Sequence, residues 1–233
     1  MLSLFPEGFE EVEHEGDLEL AAYAGAGAEE RFWQTFGPGT VADVEQGWEE
    51  AWKRFHRPVR VGSLWVGPPW EEPDPRSVPV VVDPGRAFGT GAHATTRLCL
   101  ELLVDQPRGS VVDVGCGSGV LAVAAARVGF GPVIALDVDP DAVEATLANA
   151  RANGVEIEAR LEDAFADPIP EAALTLANVT RESVERIAPR LASVQLISSG
   201  YLAGERPLLV GWEHCERRER EGWAADLFGR TGE

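Results

Sequence analysis

The sequence predicts an α/β protein, a Rossmann-like and mainly parallel sheet with helices on both faces, preceded by a small α+β segment. Three observations carry this. From residue 110 onward, short apolar runs alternate with longer helical patterns, the arrangement of strands joined by crossover helices. The first of those strands runs into a glycine-rich turn, Gly115-Cys116-Gly117-Ser118-Gly119, that opens onto a helix. Six prolines crowd residues 67–84 and separate this region from a front segment of different texture.

In the front segment, Phe9 to His14 and Leu18 to Ala24 read as strands flanking a turn at Glu15-Gly16-Asp17. Phe32, Trp33 and Phe36 give Ala28 to Phe36 a helical spacing, and Thr40 to Val44 reads as a further strand. Trp48, Trp52 and Phe55 mark one face of a helix over 47–56. Because proline fixes φ and removes a backbone donor, residues 67–84 cannot be regular helix, and the stretch is read as a connection. The expected division is therefore 1–46, a small α+β domain; 47–84, a helix and Pro-rich linker; and 85–233, the large domain.

Within the large domain, Ser110 to Val114 is the first strand and Val120 to Val128 an Ala-rich helix closed by Gly129. Val133 to Val138 is the second strand. Asp139 then caps a helix with Pro140 at its first position and Gly154 just past its end. Val155 to Leu161 and Leu174 to Asn178 are the third and fourth strands, and Val194 to Ser199 the fifth. A helix from Arg181 to Leu191 is broken near Pro189. His214 to Arg218 and Trp223 to Phe228 are expected to close the sheet as an antiparallel pair.

Composition narrows function. The chain has 233 residues, a formal net charge of −19 and 45% hydrophobic residues. Such a charge repels phosphates, so direct nucleic-acid binding is not expected, and encounter with basic partners is favoured. The three cysteines form no C-x-x-C pair and the four histidines have no ligand spacing, so no metal site is expected. There is no basic leader and no apolar run long enough for a membrane span, which suggests a cytoplasmic protein without membrane contact.

The glycine turn reads Asp113-Val114-Gly115-Cys116-Gly117-Ser118-Gly119. Glycines there permit a tight turn and close approach of a ligand, which the helix N-terminus behind them attracts. A dinucleotide fingerprint starting at Gly115 would need glycine where Val120 stands, and there is no P-loop Lys-Ser/Thr pair. A ligand with ribose but without pyrophosphate fits better. Asp137, at the end of the second strand, can accept hydrogen bonds from both ribose hydroxyls, while Asp139 is better placed for capping. Asp163, after the third strand, is placed to meet an adenine amino group or to be a solvated loop carboxylate. Cys116 needs no catalytic task, because backbone geometry explains the loop.

Together with two further motifs, these residues resemble one family. Phe88-Gly89-Thr90-Gly91-Ala92-His93-Ala94-Thr95-Thr96 is similar to the F-G-T-G-x-H-x-T-T motif of PrmA, the methyltransferases of large-subunit ribosomal protein L11. The Asp113–Gly119 loop, Leu136-Asp137-Val138-Asp139 and Ala177-Asn178-Val179 follow in the family's order, and the likeness covers most of residues 45–200. The resemblance implies a seven-stranded methyltransferase sheet with a terminal antiparallel strand, binding S-adenosyl-L-methionine. Cofactor contacts are implied at Thr96, Gly115, Asp137 and Asn178. Gly117 and Asp163 join them by position, and Phe88, Gly89 and Thr90 as a loop that folds over the cofactor. The implied reaction is methyl transfer to lysine side chains and an α-amine of ribosomal protein L11. Asn178 is the expected catalytic residue, its amide oxygen orienting the acceptor amine. His93 is divided between orienting the loop and touching substrate. A different methyl acceptor, or a binding module without catalysis, are the alternatives. The resemblance implies a longer front substrate-recognition domain, of which residues 1–46 are a shortened form, and the likeness weakens there, at Val179-Thr180-Arg181-Glu182, where the family tends to have an apolar residue and Ala, and between Gly200 and Glu213, which is short for a helix.

Overall fold

The computed structural model describes residues 9–14, 17–22, 57–83 and 91–232. In the first stretch, β1 (Phe9–His14) and β2 (Asp17–Ala22) form an antiparallel ribbon with Phe9 opposite Ala22 and His14 opposite Asp17. The helices expected over 28–36 and 47–56, and the strand over 40–44, lie outside the described residues. The chain divides into two units, residues 1–49 and 50–233.

Residues 57–83, part of the stretch read as a connection, carry a sheet of their own. β3 (Val59–Val61) pairs antiparallel with β4 (Leu64–Gly67), which pairs parallel with β5 (Val78–Val81). The proline argument correctly removes helix here but not strand. Pro79 sits in β5, at the edge of the order β3-β4-β5, where a missing N–H breaks no ladder. Its carbonyl accepts from Arg127 Nε at 3.0 Å, and Asn153 bonds Val81 in both directions, at 2.8 and 2.6 Å. Side chains thus cover the outer edge of β5, a place where bare backbone would invite pairing.

Next comes α1 (Ala94–Val104), followed by β6 (Val111–Val114), α2 (Val120–Arg127), β7 (Val133–Asp137), α3 (Pro140–Ala152) and β8 (Glu158–Leu161). Then follow β9 (Leu174–Asn178), α4 (Arg181–Ile187), a 3-10 turn (Ala188–Arg190), β10 (Gln195–Leu202), β11 (Trp212–Arg220) and β12 (Trp223–Arg230). These form a seven-stranded sheet in the order β11-β12-β10-β9-β6-β7-β8. β6 to β10 are mutually parallel, and β12 runs antiparallel to both of its neighbours, β10 and β11. The expected α/β class and sheet type are the observed ones. α1 is missing from the sequence reading, which assigned no element between the Phe88–Thr90 loop and the first strand. Its apolar residues Leu98, Cys99, Leu102 and Leu103 recur at helical spacing and are all buried.

Strand alternation sorts the core into two layers. Val111, Leu174, Leu176, Ile197, Ala225 and Leu227 face α1 and α2, joined by Leu64, Val66 and Val80 from the small sheet. Val112, Val114, Leu136, Ala177, Leu196, Ala224 and Phe228 face α4 and the 3-10 turn. In that second layer Asp226 is fully buried but well paired. Tyr201 Oη donates to it at 2.8 Å and Arg217 Nη1 at 3.0 Å, and His214 Nε2 lies 2.8 Å away. Chain order turns back between β6 and β9, which makes the carboxyl ends of those strands the place where an open α/β sheet binds ligands.

Candidate functional site

At that switch point the Asp113–Gly119 loop leaves β6. Gly115 and Cys116 both donate to Leu136 O, at 2.8 and 3.1 Å, and Gly119 donates to Cys116 O at 2.8 Å. Gly115 has φ +72°, and a Cβ there would lie 2.6 Å from Val179 Cγ1. Only glycine fits this exposed crest without strain, which leaves the backbone open to a ligand. Thr146 and Asn149 of α3 hold the loop from behind. Their side chains donate to Gly117 O at 3.1 Å and Ser118 O at 2.9 Å.

Asp137, half-buried at the end of β7, faces the loop. Its Oδ2 accepts from Gly117 N at 2.9 Å and its Oδ1 from Asp139 N at 3.0 Å. Each carboxylate oxygen retains a lone pair for a ligand hydroxyl. Asp139 is the cap, accepting from Asp141 N at 2.9 Å, so the two aspartates divide their roles as their positions suggest. Asp163 has a structural task. Its Oδ1 accepts from Phe165 N at 2.8 Å, and its carbonyl takes the N–H groups of Ala166 and Asp167. The carboxylate therefore closes a turn at the end of β8.

Asn178 ends β9, half-buried, on the face shared with α1. Its Nδ2 donates to Oγ1 of Thr96 at 3.4 Å, and Thr96 is fully buried in the first turn of α1. The amide oxygen is thereby left for another donor. His93 caps α1: Nδ1 accepts from Thr95 N at 3.4 Å and lies 2.8 Å from Thr95 Oγ1, while the ring meets Trp223 edge-on at 5.0 Å. These contacts give His93 an orienting task. Phe88, Gly89 and Thr90 lie outside the described residues. The structure thus brings Gly115, Gly117 and Asp137 together at one strand end, and Thr96 and Asn178 together at its neighbour.

Sequence reasoning passed over Asp113. It is 1% exposed; Oδ2 accepts from Ala122 N at 3.1 Å, and Oδ1 has no partner among the described residues. Burial pushes its carboxyl up to about 7, against the pull of the Ala122 hydrogen bond, and the charge of Asp137 adds to the rise. A buried aspartate at the first position of a glycine loop was the available signal. Burial likewise pushes the Cys116 thiol up to about 12, so it carries no thiolate, in keeping with a structural reading. Among the described residues, no group of three or more His, Cys, Asp or Glu could hold a metal ion, and no helix is long and apolar enough to cross a membrane.

Residues 24–227 match the family described as ribosomal protein L11 methyltransferase (PrmA). The chain is 42% identical over 199 residues to the ribosomal protein L11 methyltransferase of Symbiobacterium thermophilum, covering 78% of this chain and 66% of that one. It is 40% identical over 211 residues to that of Pelotomaculum thermopropionicum, covering 81% and 68%. It thus spans about two thirds of the length of these relatives. A crystal structure of ribosomal protein L11 methylase from Lactobacillus delbrueckii subsp. bulgaricus superposes with a TM-score of 0.68 at 26% identity, covering 76% of this chain and all of that one. With its glycine loop, Asp137 and Asn178 on the same sheet ends that the motifs pointed to, the chain belongs to the ribosomal protein L11 methyltransferase family.

Proposed function

We propose that this chain is an S-adenosyl-L-methionine-dependent N-methyltransferase acting on amino groups of ribosomal protein L11. The observation that supports it most is the pairing of the Gly115–Gly119 loop and Asp137 at one strand end with Asn178, held by Thr96, at the adjacent one. The residues fit the cofactor. A glycine crest that a Cβ would close stands beside a carboxylate with free lone pairs, and the orphaned Oδ1 of Asp113 lies in the strand end beneath. Gly115 and Gly117 would hold the amino-acid end, Asp137 the ribose and Thr96 the methionine side. Asp163, already closing its turn, would lend its remaining lone pairs to the adenine amino group. Phe88, Gly89 and Thr90 would cover the cofactor.

The bound cofactor supplies a methyl group already activated by a sulfonium. The protein's share is orientation and selection of a neutral amine. A lysine loses its proton at a pKa near ~10.4 in solution, and water is a sufficient acceptor. Asn178 commits its Nδ2 to Thr96, so its Oδ1 is turned to accept from the amine and aim the nitrogen lone pair. The net charge of −19 favours encounter with a basic partner, and a ribosomal protein as acceptor supports a cytoplasmic reaction. The test is to incubate the protein with methyl-labelled cofactor and a complete set of ribosomal proteins. Label confined to L11 is expected. Label on another band would reassign the acceptor, and no label on any protein would overturn the reading.

A further inference from the structure

Helix α1 is fastened to the β11–β12 hairpin along one stripe. At steps of four residues, His93, Arg97, Glu101 and Asp105 each meet a hairpin residue. His93 stacks edge-on against Trp223 at 5.0 Å. Arg97 Nη1 lies 3.8 Å from Glu221 Oε1, Arg220 Nη2 donates to Glu101 Oε1 at 2.8 Å, and Arg218 Nη2 donates to Asp105 Oδ2 at 2.8 Å. The spacing matches: four helical residues rise ~6 Å and two strand residues ~6.6 Å, so Glu101 and Asp105 keep step with Arg220 and Arg218. At the turn, Glu221 and Gly222 both have positive φ, as a two-residue turn of the primed kind requires, which fixes where Trp223 enters the sheet. Trp223 pairs with Leu202 at the carboxyl end of β10, and in the same sheet Ser199 of β10 pairs with Asn178.

The stripe ends where the candidate site begins. His93 holds the Thr95 N–H through Nδ1, and its carbonyl holds the Arg97 N–H at 3.1 Å. Between those two amides stands Thr96, whose hydroxyl fixes Asn178. We infer that the β11–β12 hairpin is a strap that sets the N-terminus of α1, and that Trp223 is a positioning residue for the proposed methyl transfer, acting through His93 and Thr96 on Asn178. The inference rests on the proposed activity for its second half only. Trp223 is remote in sequence from every motif that carried the resemblance, and its contact is made through packing rather than through a ligand.

The experiment compares Trp223→Ala and Trp223→Phe with the parent by amide hydrogen exchange and by single-turnover methyl transfer at saturating S-adenosyl-L-methionine. In the Ala variant the Thr95 and Arg97 amides are expected to exchange about 10-fold faster, since their local opening is released. Transfer is expected to fall about 10-fold through lost orientation. Phenylalanine keeps an aromatic ring against His93 and is expected to restore both. Unchanged exchange in the Ala variant would overturn the strap. Faster exchange with an unchanged rate would overturn the positioning role, as would a Phe variant no better than Ala. Should Trp223→Ala not fold, Arg220→Glu is measured the same way against the swap Arg220→Glu with Glu101→Arg, which restores the pair. A parent that transfers no methyl group overturns the proposed function, and the exchange measurement still decides the strap.

Discussion

Asp113→Asn measures what burying a carboxyl beneath the glycine loop costs. In the parent, burial lifts this group from 3.8 to about 7, a rise of about 3 units. At 1.36 kcal/mol per unit, that corresponds to about 4 kcal/mol of folding stability lost once the carboxyl is charged. The sign follows from the direction. A folded-state value above the unfolded one means the native protein binds the proton more tightly. The penalty is therefore absent below about pH 4, grows between about pH 4 and pH 7, and is complete above that. Asparagine cannot charge, and its amide oxygen can still accept from Ala122 N, the bond made at 3.1 Å in the parent. Its NH2 then occupies the place of Oδ1, which has no partner among the described residues, at a cost of about 1–3 kcal/mol. The protonated parent carries an unpartnered O–H at the same place and shares most of that cost, so the variant should be close to the parent in stability at pH 4 and more stable by about 2–4 kcal/mol at pH 8. Urea unfolding at both pH values and constant ionic strength measures the difference. Parallel stability curves for the two proteins would show that Asp113 does not titrate in this window, and the account of its burial would fail.

Asp137→Ala should weaken S-adenosylhomocysteine binding by ~1.5–3 kcal/mol, the worth of hydrogen bonds to a charged group, and should also release the Gly117 amide; calorimetry giving the parent's Kd would remove Asp137 from the site. Asn178→Ala should slow single-turnover transfer more than it weakens cofactor binding; a loss confined to affinity would refute the orienting role. Gly200→Ala should destabilise by about 2–4 kcal/mol, because φ is +100° and the new Cβ would lie 2.2 Å from Val179 O; an unchanged urea midpoint would show that this contact yields.

The parts of this fold that were legible in the sequence are those in which local chemistry and tertiary position agree. Asp139-Pro140 and Gly154 bracket α3 because a cap, a preset φ and a left-handed stop act locally, and Leu174–Asn178 is a strand in both readings. The fifth strand and the closing pair were found but drawn short, since edge residues such as Trp212 and Arg220 gain their pairing only from partners. α1 was missed because its first turn carries two threonines, weak helix formers, and its capping by His93 Nδ1 uses a residue outside the usual set. β5 was missed because a proline-rich stretch that cannot be helix was read as a connection, whereas an edge strand tolerates proline. At the candidate site, the place of Asp137 at a strand end facing the glycine loop was legible from its distance to Gly115. The task of Asp163 was not, because a turn closed by a side chain depends on the two residues that follow, not on the strand before.

The segments that follow Asn178 and Gly200 are fastened to each other. After Asn178 the sequence turns polar, and Thr180 caps α4 by accepting from Ser183 N at 3.3 Å. Arg181, next in line, reaches outward: Nη1 to Glu185 at 2.8 Å and Nε to Glu205 at 3.3 Å. Glu205 belongs to the short segment after β10 and accepts from Leu202 N at 2.8 Å, while Glu185 accepts from Leu208 N at 3.2 Å. From the far side, Arg217 donates to Ala203 O and Glu205 O, both at 2.8 Å, while its other nitrogen holds the buried Asp226. A segment that is neither helix nor strand must find partners for its backbone elsewhere, since unpaired groups near a core are costly. Here the Glu185 carboxylate of α4 and the Arg217 guanidinium of β11 supply them, and Arg181 bridges Glu185 and Glu205. Each such exposed pair is worth little alone, but together they fix the chain that follows Gly200, whose backbone lies against Val179. The Thr180-Arg181 step and the segment after β10 thus hold each other beside Asn178, which keeps its contact with Thr96.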